Sequence, residues 1–124
     1  MARRYGDRAR FLTVYIKEAH AQDEWQMASN EKENVCYRQP RTLAERVAIA
    51  NDFVRRFHYD VPVAVDAMDN PANALYAGWP ERFYIVDPTG VIVYKGKTGP
   101  FGYRPEEVQA WLEAHPGPVA VLSR

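Results

Sequence analysis

Thiol, imidazole and carboxylate are the groups of nucleophilic and acid–base chemistry, and few residues of this chain offer them in a telling place. Cys36 is the sole cysteine among 124 residues. That count excludes a CxxC redox pair, an internal disulfide framework and a cysteine-based zinc site. A thiol turns nucleophilic when ionised, which a helix N-terminus or neighbouring cations favour. Cys36 has Arg38 and Arg41 close by in sequence but no helix start immediately after it. Its plain reading is a free, structurally neutral thiol; the chemical alternative is a reactive, resolving or lone peroxidatic thiol. His20 stands where an apolar run gives way to a polar stretch, and on its own it reads as a loop histidine bonding locally. His58 and His115 fall at helix ends, and the three histidines show no metal-ligand spacing. Glu81, on its own, reads as a surface partner of Arg82 or Arg104. No metal and no cofactor are expected.

The composition narrows the setting. Sixteen basic residues balance sixteen acidic ones, and the sequence pI is near 6.8. A nucleic-acid binder would carry a basic excess, so that class is set aside. With 47% hydrophobic and 13% aromatic residues the chain can fill the core of one ordinary domain. No apolar run approaches the roughly 18–20 residues of a membrane span, and MARRYGDRAR has no signal-peptide character. A cytoplasmic protein with no membrane or nucleic-acid partner is expected.

The elements that must position these side chains follow from pattern. Phe11–Ile16, FLTVYI, is a nearly continuous apolar run that suits a strand buried on both faces. Residues 17–41 form a long polar insertion. Thr42-Leu43-Ala44-Glu45 reads as a capping box opening a helix. That helix carries an apolar stripe of Leu43, Val47, Ala50, Val54 and Phe57, with Glu45, Arg46, Asp52, Arg55 and Arg56 mostly off it. A short strand, Val61–Val65, ends at Asp66, and Asn70-Pro71 caps a short helix to about Tyr76. Phe83–Asp87 and Val91–Lys95 flank Asp87-Pro88-Thr89-Gly90 as a β-hairpin. Pro105 opens a last helix whose inner face is Val108, Trp111 and Leu112, and residues 117–124 read as a loose tail. Ala2–Arg10 reads as the end of a helix feeding the first strand. A helix in that place should itself follow a strand, so the fold is expected to lack its opening element.

Gly78-Trp79-Pro80 leading into FYIVDPTGVIVY resembles the second half of thioredoxin-like proteins, in which a cis-proline precedes an antiparallel hairpin. A more specific resemblance is to the iodothyronine deiodinases and their bacterial relatives, a selenocysteine- or cysteine-dependent branch of that fold. YIKEAHAQDEW (Tyr15–Trp25) is similar to the family's Tyr-Ile-Glu-Glu-Ala-His segment with its following Trp. RTLAERV resembles the start of the family's helix after its insertion, and Leu75–Glu113 resembles its C-terminal half almost end to end.

The resemblance implies an α/β, thioredoxin-like, deiodinase-type domain over residues 1–116, lacking its first strand and part of its first helix. It implies a reductive dehalogenase in which a thiolate or selenolate attacks iodine on an iodinated phenol and the ring carbon takes a proton. His20 falls on the family's phenol-contacting histidine and Glu81 on a glutamate of its proton relay. Glu18, Trp25, Pro80 and Lys97 fall at supporting positions. The nucleophile's place precedes Met1. A second histidine of some members is Pro40 here, and a substrate-clamping basic residue is Thr98, beside Lys97. An aromatic substrate, a thiol reductant as co-substrate and a homodimer are the implied partners. The alternative is a non-catalytic thioredoxin-like binding module without the nucleophile. The missing strand is expected between Phe11–Ile16 and Val61–Val65, and its loss should leave both without ladder partners and the chain unstable or association-prone.

Overall fold

The computed structural model of the chain describes residues 1–19, 38–117 and, as backbone, 119–123. Helices α1 (Ala2–Tyr5), α2 (Leu43–Arg56), α3 (Pro71–Tyr76) and α4 (Pro105–Ala114) accompany strands β1 (Ala9–Tyr15), β2 (Val63–Val65), β3 (Phe83–Val86), β4 (Ile92–Lys95) and β5 (Val119–Ser123). The five strands form one mixed sheet in the order β2-β1-β5-β3-β4. The architecture is α/β.

The continuous apolar character of β1 is explained by its inner place in the sheet, parallel to β2 on one side and to β5 on the other. Ala9, Thr13 and Tyr15 are buried from one side and Ile16 from the other. The gap expected between β1 and β2 does not exist, because Thr13, Val14 and Tyr15 pair directly with Val63, Ala64 and Val65. The expected tail is not loose either. Val119–Ser123 runs parallel to β1 and antiparallel to β3, joining two strands that do not pair with each other. Backbone N–H and C=O groups buried in a sheet must be paired, and VAVLS satisfies those of β1 and β3 together. The ladder partners expected to be missing are therefore present.

On the α1/α4 side the core is Tyr5, Ala9, Phe83, Ile85, Val108 and Leu112, with Phe11, Tyr94 and Trp111 packed against it. Ile85 and Val108 are fully buried. The period-2 alternation of β3 sends Tyr84 to the other face, where its hydroxyl donates to the Tyr76 carbonyl and its ring meets the Tyr76 ring edge-on at 5.0 Å. Tyr5 anchors α1 by donating to Glu113 of α4 at 2.7 Å.

Three local expectations changed. Thr42 Oγ1 accepts from Glu45 N at 3.1 Å as expected, but the Glu45 carboxylate takes the amide of Arg41, not that of Thr42. Arg46 is not on a solvated face: it is 2% exposed, whereas Leu43 and Phe57 of the expected stripe are about half exposed. Its guanidinium is drawn in by the carbonyls of Asp66 and Ala67 and the Asn70 side-chain oxygen, at 2.8–3.0 Å. Asn70, in turn, does not cap α3. It adopts a left-handed conformation, and the buried Asp66 carboxylate takes the amides of Ala72 and Asn73 instead, at 3.0 and 2.9 Å.

The hairpin turn forms as the residues dictate. Asp87 Oδ1 accepts from Thr89 N, Thr89 Oγ1 and Val91 N, and Gly90 takes φ +91°, a conformation that costs glycine nothing. These bonds, the Thr89 hydroxyl first, hold the Asp87 carboxyl below its ordinary range.

Candidate functional site

Because β5 runs parallel to β1 and antiparallel to β3, the C-terminal end of β1 and the N-terminal end of β3 lie at the same end of the sheet. Chain leaving β1 reaches Glu18 there, and chain entering β3 brings Pro80 and Glu81. The Trp79–Pro80 peptide is cis, as the resemblance leads one to expect.

Glu81 is half-buried against the loop that leaves β4. Its carbonyl accepts from Gly99 N at 2.9 Å, and Gly96 N donates to the Phe83 carbonyl at the same distance, so the loop follows the β3 entry closely. The Glu81 carboxyl group lies over Gly99, where any Cβ would collide with it. A second cis peptide, Gly99–Pro100, follows. Neither arginine suggested by sequence is spent on Glu81. Arg82 donates to the carbonyls of Gly96 and Ala77 and lies over the Tyr84 ring, and Arg104 sits beside Glu106 and Glu107. Lys97 is exposed on the same loop, with its Cβ against Gly102.

Glu18 is tied through its backbone. Gln39 Oε1 accepts from Glu18 N, and Gln39 Nε2 donates to Glu18 O, both at 3.1 Å. This paired amide clamps together the two ends of the stretch that includes His20, Trp25 and Cys36, which lie outside the described residues. The structure thus brings Pro80, Glu81 and the Lys97 loop together, with Glu18 at the same end of the sheet.

An aromatic cleft of about 470 Å³ opens two residues along from Glu81. Phe83, Phe11, Tyr59 and Tyr103 line it, and the Arg3–Asp60 ion pair closes one side at 2.6 Å. Tyr103 stacks on Phe83 with centroids 4.5 Å apart and rings 14° from parallel. Asp60 is held below the ordinary carboxylate range by its hydrogen bond to Arg3. None of these residues was singled out by sequence. They come from separate elements with no common period, and only the fold gathers them.

No group of three potential ligands that could hold a metal ion occurs among the described residues, and no described helix is long and apolar enough to cross a membrane.

An α/β domain with a cis-proline before an antiparallel hairpin has the backbone features the sequence resemblance implied. The iodothyronine deiodinase family model matches residues 1–116, and the chain belongs to this family. It is 46% identical over 105 residues to type I iodothyronine deiodinase of Xenopus laevis, covering 85% of this chain and 39% of that protein. It is 41% identical over 116 residues to thyroxine 5-deiodinase of Sparus aurata, covering 90% and 40%. With type II iodothyronine deiodinase of Rattus norvegicus it shares 38% over 107 residues, covering 85% and 40%. The chain spans about two-fifths of the length of these relatives.

Proposed function

We propose that this chain is the larger part of a thioredoxin-like, deiodinase-type redox domain which, in complete form, reductively dehalogenates iodinated phenols or related substrates. The observation that carries the reading is the family match over residues 1–116. In the reaction a thiolate or selenolate takes iodine from the ring, forming an S–I or Se–I bond as the C–I bond breaks. The ring carbon keeps the electron pair and accepts a proton. Two equivalents of a thiol reductant then release iodide, regenerate the nucleophile and leave as a disulfide.

Glu81 is the residue of this chain assigned to the proton relay. Its half-buried place at the β3 entry, with its carboxyl group over Gly99, supports that role. His20 is assigned to the phenol oxygen, with Glu18, Trp25, Pro80 and Lys97 in support. The cleft lined by Phe83 and Tyr103 offers aromatic surface, which suits an aromatic substrate. The reading places the nucleophile before Met1 in a longer protein, and includes a cytoplasmic setting and a homodimer.

The test is to sequence the coding DNA upstream of the Met1 codon, express the longer frame and measure iodide release from an iodinated phenol with a thiol reductant. An in-frame Cys or selenocysteine codon after a strand-like run is expected, with release abolished by its replacement and reduced about 10²–10⁴-fold in Glu81→Gln. Release unaffected by Glu81→Gln removes Glu81 from the relay, and no release at all removes the dehalogenase.

One observation favours the second reading, a non-catalytic binding module. The described strands already make a continuous five-stranded sheet, with β5 in its centre. On that reading the chain as it stands binds a halogenated phenol without consuming thiol, and Cys36→Ser changes nothing. Peroxide consumption that vanishes in Cys36→Ser would instead assign Cys36 a peroxidatic role.

A further inference from the structure

We infer that Arg82 is a positioning residue for Glu81, holding the two stretches of backbone between which that carboxylate is presented. The inference rests on the assignment of Glu81 to the proton relay and names the side chain that keeps it in place. Arg82 and Tyr84 share one face of the chain entering β3, with the Arg82 guanidinium 5.6 Å from the centroid of the Tyr84 ring. The neighbouring Glu81 carboxyl group lies over Gly99. Arg82 Nε donates to the Gly96 carbonyl at 2.7 Å, and Arg82 Nη1 donates to the Ala77 carbonyl at 3.3 Å. Ala77 closes α3 and Gly96 opens the loop that leaves β4, so one guanidinium ties the segment before Glu81 to the segment packed against it.

Both carbonyls need the donor they receive. Ala77 ends a helix, where carbonyls have no intrahelical partner, and it takes φ 45°, a left-handed conformation that an alanine keeps only when its surroundings fix it. Gly96 is buried, so its carbonyl must find its partner within the protein. From Gly96 the path to Glu81 is short. Gly96 N donates to the Phe83 carbonyl and Gly99 N to the Glu81 carbonyl, both at 2.9 Å, so the loop held by Arg82 becomes, three residues later, the floor beneath Glu81. That floor is tight: a Cβ on Gly99 would meet Glu81 Oε1, Cδ and Cγ, so a shift of the loop moves the carboxyl group or frees it. Arginine suits the task because its rigid fork aims two donors in fixed directions, whereas a lysine offers a single ammonium.

The experiment compares the full chain with its Arg82→Met and Arg82→Lys variants by NMR. Two signals are read: the nuclear Overhauser effect between the Glu81 γ protons and the Gly99 α protons, and the exchange rate of the Gly99 amide. In Arg82→Met the Overhauser effect should weaken several-fold and Gly99 exchange should rise about 10-fold or more, with the amides of β1 unchanged. Arg82→Lys should fall between parent and Arg82→Met. Arg104→Met removes a cation that sits beside Glu106 and Glu107, and should change neither signal. Both signals unchanged in a folded Arg82→Met overturn the inference, as does equal acceleration throughout β1; if that variant does not fold, Arg82→Lys decides on the same readings. In the longer frame, Arg82→Met should lower kcat for iodide release about 10–100-fold with KM near the parent value, and should add nothing in a Glu81→Gln background. Equal losses in both backgrounds make Arg82 a general support and overturn its positioning role. No release from the parent, or release unaffected by Glu81→Gln, fails the redox reading alone, and the two NMR signals still decide whether Arg82 sets Glu81.

Discussion

The core beneath α4 and the corner where α2 meets α3 are held by opposite chemistry. Beneath α4, Ile85, Val108 and Leu112 are shut from water by other apolar groups, an attraction that is strong but has no direction. At the other corner a buried arginine and a buried aspartate do the work. Arg46 holds the backbone of Asp66 and Ala67 together with Asn70, and Asp66 holds the first amides of α3. The first region resists unfolding as a whole. The second sets where α3 starts, and α3 leads through Gly78 to Pro80 and Glu81. Burial supplies cohesion here, and buried hydrogen bonds supply placement.

Substitutions can break that contrast. Leu112→Ala should be the most damaging, lowering stability by about 3–5 kcal/mol in a urea melt, because the fully enclosed site cannot collapse around the loss. A loss below about 1 kcal/mol would mean that the core is not packed as described. Arg46→Met keeps the length of the side chain and discards its donors, leaving the Asp66 carbonyl buried and without that bond. The expected cost is about 2–3 kcal/mol, with Arg46→Lys recovering only part of it. If the Met variant is as stable as the parent, the corner is apolar in effect and the contrast fails.

Asp66→Asn leaves one acceptor where two amides need two, and should cost about 1–2 kcal/mol. Unlike Leu112→Ala, it should also speed amide exchange at Ala72 and Asn73 selectively, which hydrogen-exchange NMR would read. Equal acceleration across the whole chain would assign Asp66 to cohesion and not to placement.

Tyr5→Phe probes a polar contact at the rim of the apolar core, the bond to Glu113, and should cost about 1 kcal/mol. Its pH dependence carries the sign. Glu113 is held below the usual carboxylate range by its bonds to Tyr5 and then Gln109. Stability from that bond is present above the ordinary glutamate pKa and is lost as pH falls through the depressed folded value. The gap between parent and Tyr5→Phe should therefore close in acid. At the alkaline end Tyr94, half-buried and bonded to Glu107 at 2.8 Å, is pushed up to about 12 by burial and then by that carboxylate. What it contributes is present below the ordinary tyrosine pKa and lost as pH rises through about 12, and Glu107→Gln should bring the transition down in an ultraviolet titration. An unmoved transition would leave burial as the whole cause.

Much of this was legible along the chain, since periodicity and capping are local. The apolar run of β1, the Thr42 cap, the Asp87–Gly90 turn and the inner face of α4 each declare themselves within a few residues. Motif likewise led to the family, and through it to Pro80 and Glu81. Placement across the sheet was another matter. Whether VAVLS stays loose or becomes a central strand depends on the unpaired ladders of β1 and β3, over thirty residues away. Arg46 looks like a surface residue until the carbonyls of Asp66 and Ala67 are folded against it, and the stacking of Tyr103 on Phe83 joins residues no spacing rule connects. Sequence by itself determined the helices, turns and strands other than VAVLS, because those preferences are settled by neighbours a few residues apart. Tertiary structure alone decided which strands meet and which polar groups go inside, because a buried N–H or C=O takes its partner from wherever the chain brings one within reach.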